Sequence, residues 1–426
     1  MTSPARFADI HIIQAVPFAN LNRDELGAPK ELSFGGATRM RASSQCYKRA
    51  TRTALQQMTD GDEWDFGTRS RAHAETIAKA LQERGWQEMA AKIAARDLFS
   101  MLDDDEADGD EASDEGAEGN GRARARKAPS EQEQESSRLL TNVLLYLNDS
   151  DIPRLVELAE AHRDDYERAA EGLSADAPLP VVHKKNDTKW HKELLGVLKQ
   201  CTGAGLALFG RMIAKLPEGR IDGASQVAHA FTTHEAKFEI DYFTAVDDLL
   251  TGKESSGSGH LGTAEYASGV FYRYATLDLR ELHDHFGQGS EDTAAHLAGL
   301  FLQAFAMAVP SGKKTSTAPH TPPALVYTSL RSDRPVNLAA AFETPVRPAR
   351  DEGHLPRSLQ ALATHLTQLE SFFGGQGRVW HGHAATVDTS PTNHADDETP
   401  LPLGERMPLS KLRDAMVTRL SSGDQQ

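Results

Sequence analysis

Five cations, Arg39, Arg41, Lys48, Arg49 and Arg52, stand close together in the stretch FGGATRMRASSQCYKRATRTALQQM (Phe34 to Met58). No Asp or Glu occurs from Leu32 to Thr59, although the chain carries a net charge of −16. Guanidinium forks and ammonium groups at this density are suited to phosphate oxygens. A run of charge is most often a solvated helix face; the complete absence of acids here argues instead for a polyanion contact.

The residues around these cations supply the elements that would hold them. Gly35-Gly36 breaks the backbone, and Arg39-Met40-Arg41 alternates as an extended arm does. Ser43 or Ser44 caps a helix running to about Met58, whose first N–H groups add a further anion site. At about 100° per residue, Gln45, Lys48, Arg49, Arg52 and Gln56 share one face, and Cys46, Tyr47, Ala50, Ala54 and Met58 the opposite one. Before the arm, the loop from Asn20 to Ser33 brings Asn22 and Arg23 towards the same groove.

Other motifs suggest less. SGKKT (Ser311 to Thr315) lacks the earlier glycine of a phosphate loop, its place being held by Met307, so nucleotide hydrolysis is not expected. HDH (His283 to His285) and HGH (His381 to His383) lack Cys or carboxylate partners at ligand spacing, so neither a metal nor a cofactor is expected. Cys46 and Cys201 form no framework or zinc pattern and fit a reducing cytoplasm. Neither a leader nor an 18-residue apolar span is evident, so a soluble cytoplasmic protein without membrane contact is expected. Ten acids between Asp103 and Glu118 account for much of the negative balance; without them −16 becomes −6.

The 426 residues exceed one ordinary core. Arg6 to Val16 is a strand ended by Pro17. Residues 69–102 have helical periodicity, with Ile77, Leu81, Met89, Ile93, Leu98 and Leu102 available for a core. The run 103–137 is too polar to fold and reads as a mobile insertion rather than a nucleic-acid mimic. Helices over Arg138 to Leu147, Pro153 to Gly172 and Trp190 to Lys199 complete this lobe. Gly205 to Phe209 (GLALF) reads as a buried strand ending at Gly210-Arg211-Met212. Ala224 to Leu261 forms a hairpin-like projection too poor in apolar residues to stand alone. Glu265 to Leu279 and Leu325 to Leu330 are strands and Ser290 to Val309 a core helix. Arg357 to Phe373 and Leu409 to Leu420 are closing helices separated by a polar loop.

The order gives an α+β fold, with a ferredoxin-like (RRM-like) palm, an inserted helical lobe and a projecting thumb. Its expected divisions are palm 1–60, helical lobe 61–202, palm 203–223, thumb 224–264, palm 265–345 and C-terminal helices 346–426.

FGGxxRxRxSSQxxKRAxR, LNRDE (Leu21 to Glu25), GRM (Gly210 to Met212), HAFTTHEAKFEIDYFTAVDDL and HLGTAEYASGVFYRYATLDL (within His229 to Leu279) occur in this order. Together they resemble the signature of CasC, the repeated backbone subunit of the type I-E CRISPR surveillance complex, Cascade. The resemblance implies a non-catalytic subunit that stacks in copies along a CRISPR RNA and orders it for pairing with target DNA in antiviral defence. It implies partners in the large, small, guide-end-capping and guide-processing subunits. Asn22, Arg23, Arg39, Arg41, Ser43, Ser44, Gln45, Lys48, Arg49 and Arg52 would contact the RNA. Met212 would touch its bases, and Phe243 and Leu261 would wedge into a kink. Ala37-Thr38 stands where the family often has further basic residues, so the arm would lean on Arg23 and Lys30. Distant relatives with this palm cut RNA with an aspartate, which leaves a ribonuclease using Asp24 as the alternative.

Overall fold

The computed structural model describes residues 5–59, 64–101, 139–141, 144–174, 177–183, 187–200, 203–213, 216–244, 261–287, 289–350, 352–389 and 402–421. The acidic run 103–137 and Leu102 lie outside them.

Strand β1 (Phe7–Ala19) is the centre of the palm because nearly every residue in it is buried. Hairpin β2 (Glu31–Phe34) and β3 (Ala37–Ala42) leads into helix α1 (Ser44–Met58). After the helical lobe and a short helix come β6 (Ser225–Val227), β7 (Ala230–Thr232), β8 (Phe238–Thr244) and β9 (Leu261–Asp278). Helices α8 (Leu279–Phe286) and α9 (Glu291–Met307) precede β10 (Leu325–Arg331). The sheet order β10-β1-β9, with β6 and β7 on the far side of β9, is antiparallel throughout. With α1 and α9 as its crossover helices, this is the βαββαβ arrangement of a ferredoxin-like palm.

Period-two alternation sends successive β1 residues to opposite faces. Ile10 and Ile12 join the core with Tyr47 and Leu55 of α1 and Phe301 and Phe305 of α9. Ile13 joins Tyr272, Tyr327 and Phe342 on the other face, which helix α10 (His354–Phe373) covers through Leu359, Leu362 and Leu366. Strands β11 (Arg378–Ala385) and β12 (Glu405–Arg406) extend the β10 edge, and α11 (Leu409–Ser421) packs on α9.

One buried cation fixes α1 against this core. Arg273 of β9 donates to Gln14 Oε1 at 2.7 Å and to the carbonyls of Phe305 and Ala306, in the last turn of α9. Its guanidinium lies over the Tyr47 ring at 4.4 Å and the Phe305 ring at 4.7 Å. A cation suits the partial negative charge of a helix C-terminus, so the same group ties sheet, α9 and α1 together.

The lobe contains β4 (Thr68–Ser70), α2 (His73–Glu83), α3 (Glu88–Ser100), β5 (Leu145–Leu147), α4 (Asp151–Ala161), α5 (Arg163–Ala170) and α6 (Thr188–Lys199). It has its own core, including Ile77, Leu81, Ile93 and Leu98. The short helix after it is α7 (Ala204–Phe209).

Several expectations need correction. GLALF is helical, because a five-residue apolar run reads alike as buried helix or buried strand. Within Arg138 to Leu147 the described ordered element is a strand, Leu145–Leu147, paired with β4. Pro17 does not end β1; the strand continues to Ala19 across a register irregularity after Val16, where a residue lacking N–H is tolerated. Part of the loop before the arm is strand β2. Between the closing helices lies β11, paired with β10. Ser225–Val227 and Ala230–Thr232 belong to the sheet, so the described projection is β8 against the first half of β9.

Candidate nucleic-acid interface

The site is built around the start of α1. Ser43 accepts from the Cys46 N–H at 3.2 Å as N-cap, and the first turn contains no acid. That end of the helix therefore keeps its positive field. The buried seam of α1 is Tyr47, Thr51 and Leu55. Gln45, Arg49 and Gln56 are exposed, and Lys48 and Arg52 are half-exposed. Met58, expected in the core, is exposed, since the seam advances by four residues and turns it outwards.

One loop is bonded to this helix end, and a second packs on that loop. Asn22 accepts from the Ser43 N–H through Oδ1 at 2.9 Å, and the Cys46 thiol contacts the Leu21 carbonyl at 3.7 Å, so the loop bearing exposed Arg23 is fixed beside the cap. Gly312 presses on the same segment: a Cβ there would lie 2.4 Å from the Leu21 oxygen and 2.6 Å from the Asn20 oxygen. Lys313 and exposed Lys314 follow immediately, Lys313 with φ +49. SGKKT therefore packs on the loop that bonds the helix start, though not as a nucleotide loop. A basic pair next to an obligatory glycine was the available signal, but its partner lay some 290 residues away in sequence.

Asp24 organises its own turn, accepting from the Leu26 and Ala28 N–H groups at 2.9 Å each. Ser44 donates to Gln45 Oε1 at 3.1 Å. Arg41 donates from Nε to the Glu31 carbonyl at 3.0 Å and lies 3.1 Å from His229 Nδ1. Burial first, then the positive field of Arg41 and Lys30, holds the His229 pKa below its usual value.

Arg39 requires a correction: it has no exposed surface. It donates to the carbonyls of Thr232 at 2.9 Å, Phe342 at 3.0 Å and Glu343 at 3.4 Å. Gly35 closes the β2–β3 turn at φ +60, and a Cβ there would fall 1.6 Å from the Glu343 oxygen. The arm is thus clamped onto residues 342–343, and Arg39 is the clamp. Arg41, two positions on, reaches the open edge.

Met212 is 84% exposed. Its presentation is rigid: Arg211 and Ile221 exchange two 2.8 Å backbone hydrogen bonds, and the Arg211 guanidinium donates inward to Leu198 O and Gly219 O. Gly210, at φ +72, passes so close that a Cβ would lie 2.6 Å from Ile221 O. Helix α7, just before it, leans on the 65–66 segment, to which Tyr146 also bonds while lying 5.0 Å beneath Arg52. Helix α1 and Met212 are therefore joined through one packed chain of elements.

On the thumb, Ile240, Tyr242 and Phe243 are exposed by 57%, 68% and 45%. Phe243 pairs with Gly262, and a Cβ at Gly262 would strike its ring at 2.3 Å. The outer atoms of the ring cover the glycine at the outer end of the described ribbon. Leu261 pairs with Thr244; its side chain lies outside the description.

The Cas_CT1975 family model, described as CT1975-like protein, matches residues 8–406. The chain belongs to the CT1975-like family. Among solved structures, it is 34% identical to a chain of a "CRISPR RNA-guided surveillance complex, pre-nicking", with a TM-score of 0.73, covering 97% of this chain and 100% of that one. A chain of a "CRISPR RNA-guided surveillance complex" is 30% identical, with a TM-score of 0.64, covering 97% and 99%. No curated protein matches the sequence.

In this CT1975-like protein, the arrangement offers a capped helix start, cations on three adjoining segments and a projecting thioether. It suits a phosphate chain with unstacked bases alongside. Neither HDH nor HGH is part of a three-ligand group among the described residues. His383 instead bonds Leu403 O and Thr389, and His381 faces the Tyr327 hydroxyl. No helix of the described residues is long and apolar enough to cross a membrane.

Proposed function

We propose that the protein is the non-catalytic backbone subunit of a type I-E Cascade, binding CRISPR RNA in the cytoplasm. Copies stack head to tail along the guide, in contact with the large, small, guide-end-capping and guide-processing subunits. Heterologous contacts of this kind do not close, so assembly length is set by the RNA. Asn22, Arg23, Arg41, Ser43, Ser44, Gln45, Lys48, Arg49 and Arg52 contact the ribose-phosphate chain, together with Lys313 and Lys314. Met212 touches bases, and the thumb, through Phe243 and Leu261, separates them at a kink before target DNA pairs.

The observation that carries this reading is the acid-free, Ser43-capped start of α1, with Asn22 bonded to the Ser43 N–H and Gly312 packed on the Asn20–Leu21 backbone behind it. Similarity over nearly the full length of two surveillance-complex chains supports it. Native mass measurement of the purified assembly, with its RNA extracted and sized, tests it. Several copies per RNA are expected; a single copy on heterogeneous RNA rejects the stacking. Sequence-independent contact leaves base edges free for pairing.

The alternative is a metal-dependent ribonuclease using Asp24. Both short contacts of that carboxylate are to its own turn, and it lies in no three-ligand group among the described residues, which favours the scaffold. Mg²⁺-dependent cleavage of complementary RNA that disappears in Asp24→Ala would reverse this choice.

A further inference from the structure

The helical lobe contains a group of ligand-type side chains that RNA binding does not use. His162 lies between α4 and α5, Asp165 in the first turn of α5, and His183 before α6; they offer ligand atoms all within 4.8 Å of one another. His162 Nδ1 faces Asp165 Oδ2 at 3.9 Å, while its Nε2 meets Glu193 Oε2 at 2.8 Å. His183 is held in the same manner: its Nδ1 meets Asp97 Oδ2 at 2.8 Å. Asp97 is itself fixed by the Val182 and His183 N–H groups and by the Tyr166 hydroxyl. Each imidazole therefore has one nitrogen tied to a carboxylate. This is the outer-shell arrangement that orients metal-binding histidines and raises their basicity.

The surroundings fit an ion as well. Trp190 stacks on His183 with centroids 4.1 Å apart and meets His162 edge-on at 5.2 Å, closing the inner side of the site. The Trp190 side chain is buried, and its indole N–H has no acceptor among the described residues. Asp165, by contrast, is 46% exposed and gives an entry side.

We propose that His162, Asp165 and His183 bind a divalent transition metal of the zinc class, with water as the fourth ligand. Two imidazoles and one carboxylate are a borderline donor set of the kind zinc accepts. Bonds of about 2.0–2.2 Å separate tetrahedral ligand atoms by roughly 3.4 Å. The His162–Asp165 pair at 3.9 Å must then close by about 0.5 Å, and ligand atoms up to 4.8 Å apart by as much as about 1.4 Å, by rotation of the exposed Asp165, whose Oδ1 accepts from Arg168 at 3.2 Å, and of the His162 ring. The ion fastens α5 to the segment before α6, and departs from the metal-free expectation drawn from sequence spacing alone.

The test uses the untagged full-length protein, stripped with a chelator, exchanged against Zn²⁺ and analysed by atomic emission. About one zinc per chain is expected, with a metal-dependent rise in melting temperature. Co²⁺ in its place should give the visible absorption of a four-coordinate site. Asp165→Asn, a surface change that leaves the core intact, and His162→Gln should each abolish both the bound metal and the thermal shift. Glu193→Gln should weaken affinity roughly 10–100-fold. Substoichiometric zinc in the wild type, or zinc content unchanged in Asp165→Asn and His162→Gln, would overturn the proposal.

Discussion

Arg39→Ala distinguishes the clamp from the RNA contacts. Truncation removes a charged donor from two well-placed carbonyls, at 2.9 and 3.0 Å, and a marginal third at 3.4 Å. Hydrogen bonds to a charged group contribute about 1.5–3 kcal/mol each, and a buried acceptor left unpaired costs about 1–3 kcal/mol. Opposing this, the wild type already bears the cost of a desolvated cation, whose pKa burial pushes down and whose Nε has no partner among the described residues. The net loss should therefore fall near 2–4 kcal/mol, below the simple sum. Urea unfolding, followed by a probe in the palm, should show a lower midpoint at unchanged slope. Protein that remains folded should bind RNA with wild-type salt dependence. A variant with unchanged unfolding midpoint but a shallower salt dependence would show that Arg39 contacts phosphate, and the inward reading would be wrong.

Lys48→Ala with Arg49→Ala should leave folding stability nearly unchanged. It should flatten the dependence of log affinity on log salt by about 0.7 for each lost single-strand phosphate contact, measured by fluorescence anisotropy. Gly35→Ala should unfold at markedly lower denaturant, because a Cβ 1.6 Å from the Glu343 oxygen displaces the hairpin. Gly36→Ala, at φ +74 in open space, should cost only about 1–2 kcal/mol of backbone strain. His234 accepts from the Val270 N–H through Nε2 and bonds Glu235 O through Nδ1, and burial pushes its pKa down to about 4. The neutral ring is favoured on folding, so its stabilisation is complete above pH 6.5 and is lost as pH falls towards 4, by at most ~3 kcal/mol. Unfolding titrations over that range should show the loss, and His234→Gln should flatten it.

The local features of the site were legible in the sequence because they depend on near neighbours. A serine cap at Ser43 or Ser44, the acid-free turn and the outward placing of Gln45, Arg49 and Gln56 follow from helical periodicity and capping chemistry; the structure selects Ser43. Most of the palm order was legible as well, since β1, α1, β9, α9 and β10 each contain a clear pattern, but its second strand was expected at GLALF, whereas the short β6 and β7 take that place. Tertiary structure decided everything that depends on which face is covered. Alternation placed Arg39 and Arg41 on one side of a strand, but only the approach of residues 342–343 made the first a buried clamp. A five-residue apolar run could not reveal that GLALF is a helix. Gly312 came against the Asn20–Leu21 loop, and His183 beside His162, through chain paths that no local spacing records. Local interactions fix the capped helix and its charge; long-range packing determines which of its charges, and which distant ones, meet at the same surface.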